Sequence, residues 1–346
     1  MQLRVLEIND FVNSFKKSGA VLLDARSSGE YEKAHIPGAV SLPLLDNESR
    51  AIIGTTYKLQ GREAAVLKGF ELEGPRFHEK ILRAVTLAPE KQVYIYCWRG
   101  GMRSNILAWL LQMAGFKVTL LKGGYKTFRH WVIEHYKTPR NYLVLGGKTG
   151  SGKTEILHLM KQAGEQIIDL EGLANHKGST FGALGQLPQH SQEHFENLLG
   201  WELSDLNSAK RIWIENESRL IGRNCLPPAF YELQITSPKI SVDVGTEVRT
   251  QRIICEYANF PVDILIDRTV SVKNRMGPQH SKMAVEYLQV GDFPAWVGKM
   301  LEYYDKTYSH SSQQQPNSID TQVSFRWDDW EMCLQEIIKK ANEIAI

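Results

Sequence analysis

A chain of 346 residues is longer than one small core needs and fits two domains. Its 42% hydrophobic and 23% charged residues suit a soluble globular protein; the net charge of +2 neither demands nor forbids a nucleic-acid partner, so any basic surface has to be local. The four cysteines, Cys97, Cys225, Cys255 and Cys333, form no CxxC pair, which argues against a zinc site or a disulfide framework and for a reducing cytosol.

The N-terminal MQLRVLEINDFVNSF has no basic segment followed by an apolar stretch, so no secretory signal is expected, and no run is long enough to span a bilayer. A cytoplasmic protein without a membrane partner is the expectation. Ala20–Arg26 (AVLLDAR) predicts a buried strand ending in a charged pair. HIPGAVSLPL gives a turn and a second strand, and residues 55–85 have a mostly helical pattern. KQVYIYC is a third strand. SNILAWLLQMAGF is an amphipathic helix stopped at Gly115, and KVTLLKGG is another strand. Strands alternating with helices predict a parallel α/β domain over residues 1–138. Pro139 and its polar neighbours mark the break. The second domain, 139–346, opens with the strand YLVLGG, a glycine-rich turn and a helix. Further strands are expected in EQIIDLEG and RIWIENES, with a mainly helical, aromatic-rich tail from about Val270. SSQQQPNS reads as a short polar loop.

Cys97 ends a strand and is followed by a tight turn and a helix, in YIYCWRGGMRSN. In such a turn successive backbone N–H groups point inward, and the helix N-terminus adds its free donors. The backbone of Trp98, Gly100, Gly101 and Met102 would form this anion cradle, the two glycines allowing the dihedrals of a tight turn. Arg103 offers a planar fork to an oxyanion, Arg99 a second positive charge, and Ser104 a cap for the helix. Cys97 therefore reads as a nucleophile, and the other three cysteines as packing residues.

LLDARSSGEYEKAHIPGAVSLPL resembles the first signature of rhodanese-like sulfurtransferase domains, through Asp24, Arg26, Glu30, His35, Ile36, Pro37, Gly38 and Ala39. YIYCWRGGMRSNILAWLL is similar to the active loop of those domains and the helix after it. One spacing departs from theirs: Arg103 lies six residues after Cys97, one more than usual there. Phosphatases built on the same fold share the wider spacing, whose larger loop holds a tetrahedral phosphate. A phosphatase activity therefore stands beside a sulfurtransferase-like one.

YLVLGGKTGSGKTEILHLM contains Gly147, Gly152, Lys153 and Thr154 in P-loop spacing, with Gly150 between, in the required strand–loop–helix setting. Its amides would cradle two phosphates, Lys153 would supply a point charge, and Thr154 would ligate a magnesium ion. A conventional NTPase adds an acidic residue at the end of a second strand. Glu215, Asp169 and Glu171 all stand at such places, and a diphosphate ester that is not a nucleotide would suit the same donors. GLANHKGSTFGALG, with His176, Lys177 and Ser179, suggests a mobile loop nearby. Arg219, Arg223, Arg249 and Arg252 either close over phosphates, touch a nucleic-acid backbone or are ordinary solvated helix-face residues.

The order of these motifs, with DLEGLANHKGSTFG and WIENESRLIG, resembles the tRNA 2-selenouridine synthases, a bacterial tRNA-modifying family. The resemblance covers nearly the whole chain. It implies an N-terminal rhodanese-like parallel-sheet domain followed by a P-loop NTPase-like α/β domain with a helical tail. It further implies a tRNA substrate with 2-thiouridine at the wobble position, geranyl diphosphate and selenophosphate as co-substrates, and a selenophosphate-producing enzyme as a partner. The P-loop domain would geranylate the sulfur and Cys97 would carry selenium. Magnesium at Thr154 would be the only cofactor, with none tightly bound. Trp296, Tyr303 and Tyr304 would either line a geranyl pocket or pack helices. The tRNA follows from the resemblance alone, because no RNA-binding signature is present.

Overall fold

The computed structural model describes residues 3–313, 320–325 and 330–344. The chain packs as two compact units. The first comprises residues 1–135 together with Glu196–Trp201; the second takes the remainder.

The first unit runs β1 (Arg4–Leu6), α1 (Ile8–Ser18), β2 (Val21–Asp24), α2 (Ser28–Lys33), β3 (Ala39–Ser41), α3 (Asn47–Glu73), a 3₁₀ turn (Gly74–Arg76), α4 (Phe77–Leu87), β4 (Gln92–Tyr96), α5 (Met102–Met113), β5 (Lys117–Leu121) and α6 (Gly124–Lys137). Its strands form a parallel sheet in the order β1-β5-β4-β2-β3. Near-continuous apolar runs such as Val93–Tyr96 are what a sheet covered on both faces requires. Leu23, Ile95, Leu107, Leu111 and Leu120 form the core under α5. The register sets Asp24 beside Tyr96, so Cys97 emerges at the carboxyl edge of a central strand, where open α/β sheets place their ligands.

The long α3 is not one straight rod. Gly61 takes φ 86° and ψ −173°, which no helix accommodates, and a Cβ built on Gly69 would sit 3.6 Å from Ile53 Cδ1. Ile53 and Gly69 can meet only if the second limb folds back along the first. Asp46 caps the first limb through Ser49 N at 2.8 Å, and Arg76 reaches the same carboxylate at 2.7 Å.

The second unit contains β6 (Tyr142–Gly147), α7 (Lys153–Gln162), β7 (Gln166–Ile168), α8 (Leu170–Ala174), the two ends of α9 (Gln192–Asp205), whose middle, Glu196–Trp201, belongs to the first, β8 (Ile212–Glu215), the short antiparallel pair β9 (Leu220–Ile221) and β10 (Asn224–Cys225), and α10 (Pro228–Thr236). Then come β11 (Lys239–Val244), α11 (Thr246–Tyr257), α12 (Val262–Ser271), α13 (Lys273–Met276), α14 (Pro278–Gln289), α15 (Phe293–Gln313), β12 (Asp320–Phe325) and α16 (Trp330–Glu343). The sheet is again parallel, ordered β12-β11-β6-β8-β7, with the P-loop strand β6 central. The tail is helical as expected, apart from β12. That strand's identity depends on pairing with β11, and Val323 is its buried anchor in the core. The first three residues of SSQQQPNS end α15 and the rest lie outside the described residues. No helix among the described residues is long and apolar enough to cross a membrane.

Candidate functional site

Cys97 is buried at the head of the loop between β4 and α5. Its Sγ lies 3.2 Å from Ser104 Oγ, which in turn lies 3.1 Å from Gly101 O. Ser104 therefore does not cap α5 as expected. It sits inside the first turn, where its hydroxyl meets the thiol, and Gly101 holds the N-cap position. Of the two glycines only Gly100 is left-handed (φ 64°); Gly101 has φ −104°. The loop is shaped by a second turn packed against it. A Cβ on Gly100 would stand 2.8 Å from Leu121 O, and one on Gly124 only 2.2 Å from Cys97 O. Tyr125 N and Lys126 N tie down the carbonyls of Cys97 and Trp98 at 2.8 and 3.0 Å. Among the described residues, the amides of Trp98, Arg99, Gly100, Gly101 and Met102 donate to no protein acceptor. That is the donor set of an anion cradle.

Arg103 is held at the cradle by Glu30, with Nη1 2.6 Å from Oε2. Arg50 Nε is 2.9 Å from the same oxygen. Burial pushes the Glu30 carboxyl up, but the hydrogen bond and charge of Arg103, aided by Ser27 and Arg50, outweigh it and hold it below the usual carboxylate range. Asp24 and Arg26 form a buried pair at 2.6 Å, and Tyr96 Oη donates to Asp24 at 2.7 Å, so these signature residues brace the sheet edge under the loop. Arg99 is exposed. With Met102 and Arg103 it lines a cavity of about 910 Å³ that extends between the limbs of α3.

In the second unit the P-loop runs from Gly147 to α7. Gly150 and Gly152 both take left-handed φ, 79° and 81°, and a Cβ on Gly150 would crowd Ile253 at 3.0 Å. Arg249, almost fully buried, pins the loop by donating to Thr149 O at 2.8 Å and pairing with Asp305 at 2.6 Å, so it is a structural arginine. Arg252 lies against Gly152 and pairs with Glu155 at 2.5 Å. Arg223 donates to Gln189 O; Arg219 is exposed. Lys153 Nζ donates to Gly147 O at 3.1 Å. The Thr154 hydroxyl donates to Glu215 Oε1 at 2.7 Å and lies 3.2 Å from Glu171 Oε2.

Glu171, Glu215 and Glu217 bring carboxylate oxygens within 4.8 Å of one another. Burial first, then repulsion by nearby carboxylates, pushes Glu171 and Glu215 well above the usual carboxylate range, Glu171 through Glu215 and Glu217, and Glu215 through Glu217 and Asp169, while Lys153 pulls them back. Glu215 Oε2 is buried with no hydrogen-bond partner among the described residues. A hydroxyl, three convergent carboxylates and an orphaned oxygen fit an oxygen-seeking divalent cation. Gly178 closes over them: with φ 67°, its Cβ would stand 2.7 Å from Glu171 Oε1 and 2.9 Å from Glu217 Oε2.

Two of the three expected acidic residues meet Thr154; the third does not. Asp169 instead caps α8 through Gly172 N at 2.7 Å and pairs with His158 at 2.9 Å. EQIIDLEG accordingly stops being a strand at Ile168. His176 packs against Gly182 and Gly222, with Nδ1 buried and unpartnered among the described residues. Lys177 pairs with Glu256. Trp296 is core, donating to Thr269 at 3.1 Å, which is the packing role. Tyr304 accepts from Thr180 N at 3.3 Å. Glu217, absent from the expected set, was visible as the second acid of the ENE run following the strand.

The fold and the two sites define a class: a rhodanese-like domain joined to a P-loop domain. The family model described as rhodanese-like domain matches residues 7–130. The model described as tRNA 2-selenouridine synthase AAA domain matches residues 140–271. A protein of Shewanella sp. strain ANA-3 named tRNA 2-selenouridine synthase is 32% identical over 338 residues, covering 87% of this chain and 91% of that one. Its namesake from Shewanella halifaxensis strain HAW-EB4 is 38% identical over 348 residues, covering 89% and 94%. Another, from Nitrosomonas europaea, is 37% identical over 244 residues, covering 68% and 63%. The chain belongs to the tRNA 2-selenouridine synthase family.

Proposed function

We propose that this protein converts 2-thiouridine at the wobble position of tRNA to 2-selenouridine in two stages. In the first, the C2 sulfur displaces diphosphate from geranyl diphosphate: a carbon–sulfur bond forms and a carbon–oxygen bond breaks. In the second, selenium from selenophosphate replaces the alkylated sulfur, with water taking up the phosphoryl group as phosphate and geranylthiol leaving. The order is physical: the unalkylated thiocarbonyl sulfur leaves poorly, whereas a thiolate can depart.

Two anion sites of different character on one chain are the observation that carries this reading. The P-loop amides and Lys153 suit the diphosphate. Thr154, Glu171, Glu215 and Glu217 would hold magnesium, which when bound supplies positive charge to diphosphate oxygens. The Cys97 loop, with five unspent amides and Arg103, suits a tetrahedral anion such as selenophosphate. Cys97 is the nucleophile of the second stage: its thiolate, placed by Ser104, attacks the phosphorus of selenophosphate, an S–P bond forming as the P–Se bond breaks; the hydrogenselenide released displaces geranylthiolate at C2, and water cleaves the S–P bond to give phosphate and the free thiol.

The test is mass analysis of nucleosides from thiolated tRNA incubated with each donor. Cys97→Ala is expected to accumulate geranylated tRNA and form no 2-selenouridine. Lys153→Ala is expected to lose geranylation by at least about a hundredfold, as removal of a transition-state donor does. Selenation that survives Cys97→Ala would remove that residue from the reaction. Geranylation that survives Lys153→Ala would overturn the P-loop assignment.

A further inference from the structure

We propose that the cavity between the limbs of α3 receives the prenyl chain of S-geranylated 2-thiouridine in tRNA, holding that nucleoside at the Cys97 loop. The proposal rests on the two-stage reading above and adds a substrate site to its second stage.

The cavity is large and mostly apolar. Its volume, about 910 Å³, lies at the upper end of the roughly 300–1,000 Å³ usual for small-molecule sites. Ile53 on the first limb, Val66 and Phe70 on the second, and Ile106 on α5 supply its walls. The fold-back at Gly61 creates it, since a continuous α3 could not face itself. The sequence core does not fill the space, yet the helices around it are well formed, as expected of a site shaped for an occupant.

Three features choose the occupant. The cavity opens at the cysteine loop, because Arg99, Met102 and Arg103 line it. A chain lying there is tethered to something that reacts beside Cys97. Its lining is basic: Lys58, Arg62 and Arg99, beside Arg50 that already pairs with Glu30, are spread along α3 and the cysteine loop, a spacing that suits a phosphodiester chain. The lining acid, Glu73, is buried and lies 3.0 Å from Lys80. Finally, Tyr57, which lines the cavity, is a large exposed aromatic, 59% accessible, of the kind on which an unstacked base rests. Free geranyl diphosphate carries the same chain, but its compact diphosphate is matched by the P-loop and not by scattered single cations.

Gly54 allows a clean test. It lines the cavity, its backbone is helical, and a Cβ there would meet nothing within 4 Å. Gly54→Leu in the full-length protein is expected to raise KM for S-geranyl tRNA in selenation at least tenfold. Geranylation of thiolated tRNA should not change. Binding of an anticodon stem-loop carrying S-methyl-2-thiouridine, measured by fluorescence anisotropy, should also hold, which reports that the first unit is folded. Phe70→Ala, which enlarges the cavity, should shift preference from S-geranyl toward S-farnesyl stem-loops.

Equal effects on S-geranyl and S-methyl ligands, or none on either, would overturn the proposal. Loss of geranylation with selenation intact would assign the cavity to the free diphosphate and overturn it too. Wild-type protein that selenates thiolated tRNA without any geranyl donor would refute the two-stage reading itself. That result is distinguishable because it needs no variant.

Discussion

Ser104 shows how one hydroxyl can change meaning between sequence and structure. Its place after two glycines suggests a helix cap, yet it faces the Cys97 thiol at 3.2 Å. Ser104→Ala should lower kcat for selenation about tenfold, the effect of one lost hydrogen bond of about 1.4 kcal/mol. KM for tRNA and the geranylation rate should stay put, and steady-state kinetics of both stages will check this. At the other site Thr154 joins the P-loop to the carboxylates. Magnesium chloride is expected to raise the melting temperature of the wild type, and Thr154→Ala should abolish that rise, seen by calorimetry. A magnesium-dependent shift that survives would place the cation elsewhere. The cysteine, the arginines, Lys153 and Thr154 were legible because their spacing is local. The pairing of Glu30 with Arg103 and the convergence of Glu217 on Glu171 were not, because each joins residues far apart in sequence; Asp169 was misread although its partners, Gly172 and His158, lie close by, because a cap and an ion pair look the same as a metal ligand in sequence.

The folded-back α3 rests on its turn and its cap. An L-residue at Gly61 would be forced into a positive-φ, extended-ψ conformation that glycine alone readily adopts, costing about 1–3 kcal/mol. Gly61→Ala should therefore weaken the first unit by that amount in urea titrations. Asp46→Ala removes a helix cap and should cost about 1 kcal/mol. The hydrogen bond from Ser49 N, then that from Arg76, pushes Asp46 down to about 2 from an ordinary value of 3.8. Its folded pKa is depressed, so its contribution is present above pH 3.8 and fades as pH falls toward about 2. The wild-type advantage over Asp46→Ala should thus shrink across that interval. Periodicity announces helix over residues 55–85, but the reversal at Gly61 is invisible to it: one glycine in a helical pattern is usually tolerated in place. β12 escaped for a related reason. Its DTQVSF run has little strand character until β11 supplies a ladder.

For the molecule as a whole, the proposed two stages would fall on two units, each with its own parallel sheet and core. Two inactive proteins should therefore be able to share the work. A mixture of Cys97→Ala and Lys153→Ala is expected to form 2-selenouridine from thiolated tRNA when both donors are present, although neither variant does so alone. Nucleoside analysis over time should show geranylated tRNA rising and then falling. A mixture that forms none would mean that the intermediate is never released. Fold class followed from sequence at this scale because both units keep strand–loop–helix order around their anion loops. The segment Glu196–Trp201, which joins the first unit from far downstream, has no mark in the sequence.

The ribosome exposes the two sheets at different moments. The first has all its strands once Leu121 has emerged, whereas the second waits for Phe325 to complete the ladder from Lys239↔Asp320 to Val244↔Phe325. For the whole interval in which residues 245–319 are being made, β11 is an uncovered edge next to the P-loop strand, open to pairing with other nascent chains. Slow translation of the α11–α15 segment should therefore be hazardous, because β11 waits without its edge partner throughout it. Truncated chains ending before Asp320 are expected to sediment as aggregates, with their first unit still folded within them.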